Sequence, residues 1–220
     1  MVEIVREIPW SELETMLRTV PLKASDAQGN QVFPYKSSPI ELRCVSTGEI
    51  SPTTFYLIKK HLEFQERLRE ELLTKGYDTL QLKGGLEIVN QTGEQWRIIP
   101  PVVEVMHERV VHLNHRGDIS YDGKPTEVAV HIINDGAHRV FLARSLGIKP
   151  NVVHVTGISA ETPFYALPNS WDDVKLFDAT PKTMEEKKFY RRKENYALYR
   201  DFGVLGIGTP RNTGDGTKVK

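Results

Sequence analysis

The stretch INDGAHRVFLARSLG at residues 132–146 constrains the fold of this chain more than any other. A β-branched run over 128–133 suits a buried strand, and Asp135 with Gly136 breaks it. Val140, Phe141, Ala143 and Leu146 then recur at helical spacing, with Gly147 as the terminator just past them. The pattern predicts a strand that feeds a helix directly, with Asp135 as its N-cap. His138 and Arg139 then fall in the first helical turn. There the unpaired backbone N–H groups and the helix dipole favour anions, and a cation helps the helix least. Charged donors set against the dipole point to a negatively charged partner.

A strand that runs straight into a helix predicts a mixed α/β fold, with the strand ending at Asn134 central in a mixed sheet. Around it, residues 1–20 read as a strand and a short helix capped by Ser11, and 40–46 as a further strand. Pro52 opens a long helix that places Leu57, His61, Phe64, Leu68 and Leu72 on one face and ends at Lys75 and Gly76. Residues 77–95 read as a β-hairpin turning at Gly84 and Gly85, and Pro100 with Pro101 starts the next strand. ERVVHLN and TEVAVHII form an antiparallel pair across two turns, and NVVHV adds one more strand. The Pro- and aromatic-rich segment that follows reads as an ordered loop, 182–202 as a final helix, and the polar, glycine-rich end as a disordered tail. The chain thus divides into an extension over 1–39, a core over 40–156 with insertions at 77–95 and 107–127, a loop and helix over 157–205, and a tail over 206–220.

Charge and cysteine content narrow the function. Lys plus Arg and Asp plus Glu both number 29, so the chain lacks the basic field of a protein that lives on a nucleic-acid backbone. The single cysteine, Cys44, excludes a disulfide framework and any two-cysteine metal knuckle, which fits a cytoplasmic protein. No segment approaches the ~20 apolar residues of a membrane span.

The order strand, GEISP, helix, PPVVEV, strand, NDGAHR, helix, SLG and NVVHV resembles the ParB/sulfiredoxin superfamily over residues 40–156. Sulfiredoxins carry a catalytic cysteine just before the His-Arg pair. Here Ala137 stands there, so that chemistry loses its nucleophile. Asp135, Gly136, His138 and Arg139 match the motif of the free-serine-kinase-like branch, and Glu49 falls where that branch places its catalytic glutamate. Ala137 departs from it, since those kinases usually have a second histidine there. The resemblance implies a nucleotide-dependent kinase that uses ATP or ADP with Mg²⁺ and phosphorylates the hydroxyl of a small molecule. Glu49, Asp135 and His138 would be catalytic, and residues 135–139 (Asp135, Gly136, Ala137, His138 and Arg139) would hold the nucleotide. Arg139 would clamp the phosphate bidentately, and Glu49 would be the general base. The alternative is a ParB-like module that binds nucleotide or nucleic acid without phosphoryl transfer. A nuclease is disfavoured, because the chain is neutral and lacks a carboxylate cluster for two metals.

Other features read as structure. His107, His112 and His115 alternate or stagger along a strand and do not converge on a metal, so no metal site is expected. Phe189, Tyr196 and Tyr199, spaced among lysines and arginines, read as a helix face packed on the domain with its basic residues in solvent.

Overall fold

The computed structural model of the chain describes residues 1–110, 126–183 and 197–207. In order, the strands are β1 (Val2–Ile8), β2 (Ile40–Cys44), β3 (Ile50–Ser51), β4 (Tyr56–Ile58), β5 (Gly85–Asn90), β6 (Gln95–Ile98), β7 (Val102–Val110), β8 (Thr126–Asp135), β9 (Asn151–Val155) and β10 (Lys175–Phe177). The helices are α1 (Trp10–Leu17), α2 (Lys59–Leu73) and α3 (Ala137–Ser145). The fold is mixed α/β, as the sequence predicts.

The main sheet has the order β2-β9-β7-β8-β3 and is mixed, with β7 antiparallel to β8 and parallel to β9. The strand that feeds α3 is therefore interior, but β7 occupies the middle. Helices cover both faces. On one, Ile50, Val103, Ile133 and Val152 pack on Val140 of α3. On the other, Ile40, Val102, Val153 and Val155 pack with Leu13 and Leu17 of α1. Alternating residues of the same strands thus serve two cores, as the period of a strand requires.

A second sheet, β1-β5-β6, joins the N-terminal strand to the hairpin read as an insertion. Leu68 and Leu72 of α2 pack on its Val2, Leu86, Ile88 and Trp96. The hairpin turns at residues 91–94, where Asn90 Oδ1 accepts the N–H groups of Thr92 and Glu94, and not at Gly84 and Gly85. Gly85 begins β5, and Gly84 directly precedes it. A Cβ on Gly84 would lie 2.3 Å from the Ile8 carbonyl oxygen, so close strand contact explains them better than a turn.

Helix starts are less legible than helix ends. α1 begins at Trp10 after Pro9, and Ser11 lies inside its first turn without capping it. α2 begins at Lys59 rather than at Pro52, because residues 50–58 are drawn into pairing. Ile50 and Ser51 pair with His131 and Ile132, and Tyr56–Ile58 run parallel to Lys175–Phe177. Partners 80 or more residues away override the local signal. Both predicted ends hold. Gly76 and Gly147 have φ of 88° and 67°, and the N–H groups that follow them return to Leu72 and Ala143. On α3 the inward residues are Val140, Leu142 and Ala143, while Leu146 is exposed.

The C-terminal segment closes the molecule. Lys23 N–H donates to the Tyr199 carbonyl and Arg97 N–H to that of Gly206, so residues 197–207 bind both the N-terminal region and β6. The end of the predicted final helix is not helical, since residues 197–201 form turns and a bridge of Arg200 to Leu22. Residues 184–196 of that helix, the predicted turns within 111–125 with His112 and His115, Phe189 and Tyr196 of the aromatic face, and the tail from 208 lie outside the described residues.

Candidate phosphate-binding site

The site begins with a strand that continues to the last possible residue. Asp135 still pairs with Val102, and Asn134 is the extra residue of a β-bulge just before it. Gly136 then turns the chain at φ 86° and ψ 23°, a left-handed conformation, and takes the N-cap position of α3. Its carbonyl accepts the N–H groups of Arg139 at 2.9 Å and Val140 at 3.0 Å. Asp135 is therefore not the N-cap: the strand pairing holds it one residue too early, and no side chain caps α3. A Cβ on Gly136 would lie 2.9 Å from Pro101 Cβ and from Arg139 Nη2, so the glycine also lets the turn settle on β7.

The carboxylate of Asp135 has another task. Arg139 Nη2 donates to Asp135 Oδ2 at 3.2 Å, and Nη1 donates to the Ile99 carbonyl. The Arg139 side chain is 8% exposed. Its burial lowers the guanidinium pKa, and Asp135 acts in the opposite direction. The cation that the sequence sets against the helix dipole thus has an internal counter-ion one turn away.

His138 faces α2. Its Nε2 accepts the Ile58 N–H at 3.2 Å, just ahead of the first turn of that helix, and its ring meets His61 edge-on at 5.3 Å. Burial, with His61 and Arg139 nearby, lowers its pKa to about 4. The imidazole is neutral at physiological pH, and with Nε2 accepting, the ring proton resides on Nδ1.

These elements enclose a cleft of about 130 Å³. Residues 135–139 form one wall, Gln65 and Leu68 of α2 a second, and Trp96 with Arg97 of β6 a third. Arg97 is anchored by the Leu205 carbonyl at 2.6 Å and by Glu87 at 3.4 Å. Gln65, Trp96 and Arg97 carry no motif in the sequence, because the hairpin that brings β6 here reads only as an insertion. Glu49 stands apart from this lining. It is exposed, on a 3₁₀ turn over Thr47–Glu49 that packs against α3.

Among the described residues, no group of three His, Cys, Asp or Glu side chains is placed to hold a metal ion. His107 is exposed on β7, and besides His61 and His138, His131 and His154 meet with ring nitrogens 3.2 Å apart. No helix among the described residues is long and apolar enough to cross a membrane.

The fold and site thus define a mixed α/β domain whose interior strand delivers an Asp-Gly turn to a helix start, over a small polar cleft. The chain belongs to the ParB CE domain family, whose model matches residues 12–175. Neither a curated protein nor a solved structure gives a significant match. The family assignment supports the ParB-like superfamily and reaches further towards the N-terminus than the motifs did, beginning within α1.

Proposed function

We propose that the chain binds the phosphate groups of a nucleotide, ATP or ADP, in the cleft at the start of α3. The observation that carries this reading is the cleft, in which a helix N-terminus opens between Arg97 and Arg139 onto about 130 Å³, room for a phosphate group. The first N–H groups of a helix lack intrahelical acceptors and lie at the positive end of its dipole, so they suit phosphate oxygens. Because Asp135 already matches Arg139, the attraction rests on the helix start itself, to which neutral His138 adds a ring N–H without charge. A phosphate-bound Mg²⁺ needs only one or two protein carboxylates, and Asp135 is the carboxylate that lines the cleft.

Gln65→Glu tests the reading by calorimetry. It keeps the side-chain shape and puts a negative charge into the cleft. ATP and ADP should bind about tenfold or more weakly, the scale of one partly screened charge repulsion. Unchanged affinity would move the phosphate site elsewhere.

A second reading adds phosphoryl transfer to a small hydroxylated acceptor, with Glu49, outside the cleft lining, as its base. An exposed carboxylate on a turn packed against α3 is available to take the proton of an incoming hydroxyl. A screen of small hydroxylated compounds with ATP and ADP separates this from binding alone. Consumption of nucleotide only with an acceptor supports transfer. Binding without turnover, with DNA retarded in a gel, supports the module that binds nucleotide or nucleic acid.

A further inference from the structure

We propose that the groove between α2 and the β5–β6 hairpin, next to the phosphate cleft, is the nucleoside subsite of the same ligand; this rests on the phosphate-binding reading above. The argument begins with size. The cleft at α3 holds about 130 Å³, well below the ~300–1,000 Å³ of small-molecule sites, so a nucleotide seated there by its phosphates must extend outside it. The groove, at about 380 Å³, falls within that range. The two spaces share Leu68 and Trp96 as a common wall. Both residues are at most 6% exposed, so the wall is part of the core under α2 and holds its shape.

The groove also has suitable chemistry. Half-buried Phe64 brings an aromatic ring over the buried Trp96, and every nucleobase has a π-face on which such a ring stacks. Arg67 and Glu71 rise from α2 on the same groove, but Glu71 already accepts the Val2 N–H and lies 3.9 Å from the Met1 ammonium, so Arg67 is the α2 group that can donate to a ribose hydroxyl. Asn90 is committed to the hairpin turn through both its amide oxygen and its amide nitrogen. The exposed Gln91 beside it is therefore the amide that reads the base edge. The hairpin that looks like an insertion in the sequence thus carries the specificity of the site.

Calorimetry on the full chain with inorganic tripolyphosphate, ATP and the other ribonucleoside triphosphates tests this. At least one nucleotide should bind tenfold or more tightly than tripolyphosphate. Phe64→Leu retains apolar packing but removes the ring. It should weaken that nucleotide by about tenfold, the loss of one stacking contact, and leave tripolyphosphate unchanged. Gln91→Ala, on the exposed turn, should narrow the differences among the four bases without loss of stability. If tripolyphosphate binds and no nucleotide binds more tightly, or if both variants keep the wild-type preference, the nucleoside subsite is wrong while the phosphate site stands. If neither tripolyphosphate nor any nucleotide binds, both readings fall.

Discussion

Arg139 donates to the carboxylate of Asp135, four residues earlier, at 3.2 Å across the start of α3. The pair is local in sequence, yet its geometry exists only because Gly136 adopts φ 86° between the two residues and turns the strand into the helix. Asp135 therefore neutralises the cation that would otherwise oppose the helix dipole.

Truncation at Arg139 should therefore be felt first as instability. Arg139→Ala leaves the buried Ile99 carbonyl without this donor and Asp135 without its cation, and should cost about 2–4 kcal/mol in urea denaturation. Arg139→Lys should recover only part of this, because an ammonium does not reproduce the planar fork that reaches both acceptors. A stability equal to wild type for Arg139→Ala would show that the ion pair contributes nothing net.

His138 gives the fold a pH dependence. Its folded pKa of about 4 lies below the ~6.5 of an unfolded histidine, so the unfolded chain binds the proton more readily. The contribution is fully present above pH ~6.5 and is lost as the pH falls towards 4. Protonation would also remove the acceptor of the Ile58 N–H. His138→Gln keeps an acceptor without titrating in this range, so its stability should fall less steeply between pH 6.5 and 4 than that of wild type. Parallel curves for the two proteins would mean that His138 titrates normally.

Glu49→Gln separates transfer from binding. Glu49 is exposed and outside the lining of the cleft at α3, so nucleotide affinity and stability should stay near wild type. On an acceptor identified by the screen, turnover should fall ~10² to 10⁴-fold, the usual loss for a general base. Full turnover would remove Glu49 from the reaction.

The deepest polar contact should dominate stability. Arg200 and Glu104 have side chains that are 0% exposed, and all five Arg200 N–H groups find acceptors: both Glu104 oxygens and the carbonyls of Thr162, Pro163 and Leu198. Tyr35 and Asn134 also donate to Glu104, which ties the network to the bulge before Asp135. Arg200→Met should cost about 3–5 kcal/mol by leaving a buried carboxylate without its ion partner. The double variant Glu104→Leu with Arg200→Met should be less damaging than that single change, and chemical denaturation of both proteins reads the difference.

The strands β1, β2, β8 and β9, the existence of α3, and the glycine stops of α2 and α3 were legible in the sequence. Each depends on the period of apolar residues or on a backbone conformation that glycine adopts readily. The same locality marked residues 135–139 as a candidate site, since a turn between strand and helix is built from neighbours in the chain. Only the tertiary structure decided which partners these residues take. Asp135 looks like a cap until pairing with Val102 places it on the strand. Pro52 looks like a helix start until β3 and β4 find their partners. Glu104 and Arg200, 96 residues apart, show no sign of each other in the sequence. The walls of the cleft come from α2, β6 and the start of α3, separated by whole elements. Such contacts form through long-range burial and pairing, whose free energy depends on what meets in space, and no local pattern of residues encodes that meeting.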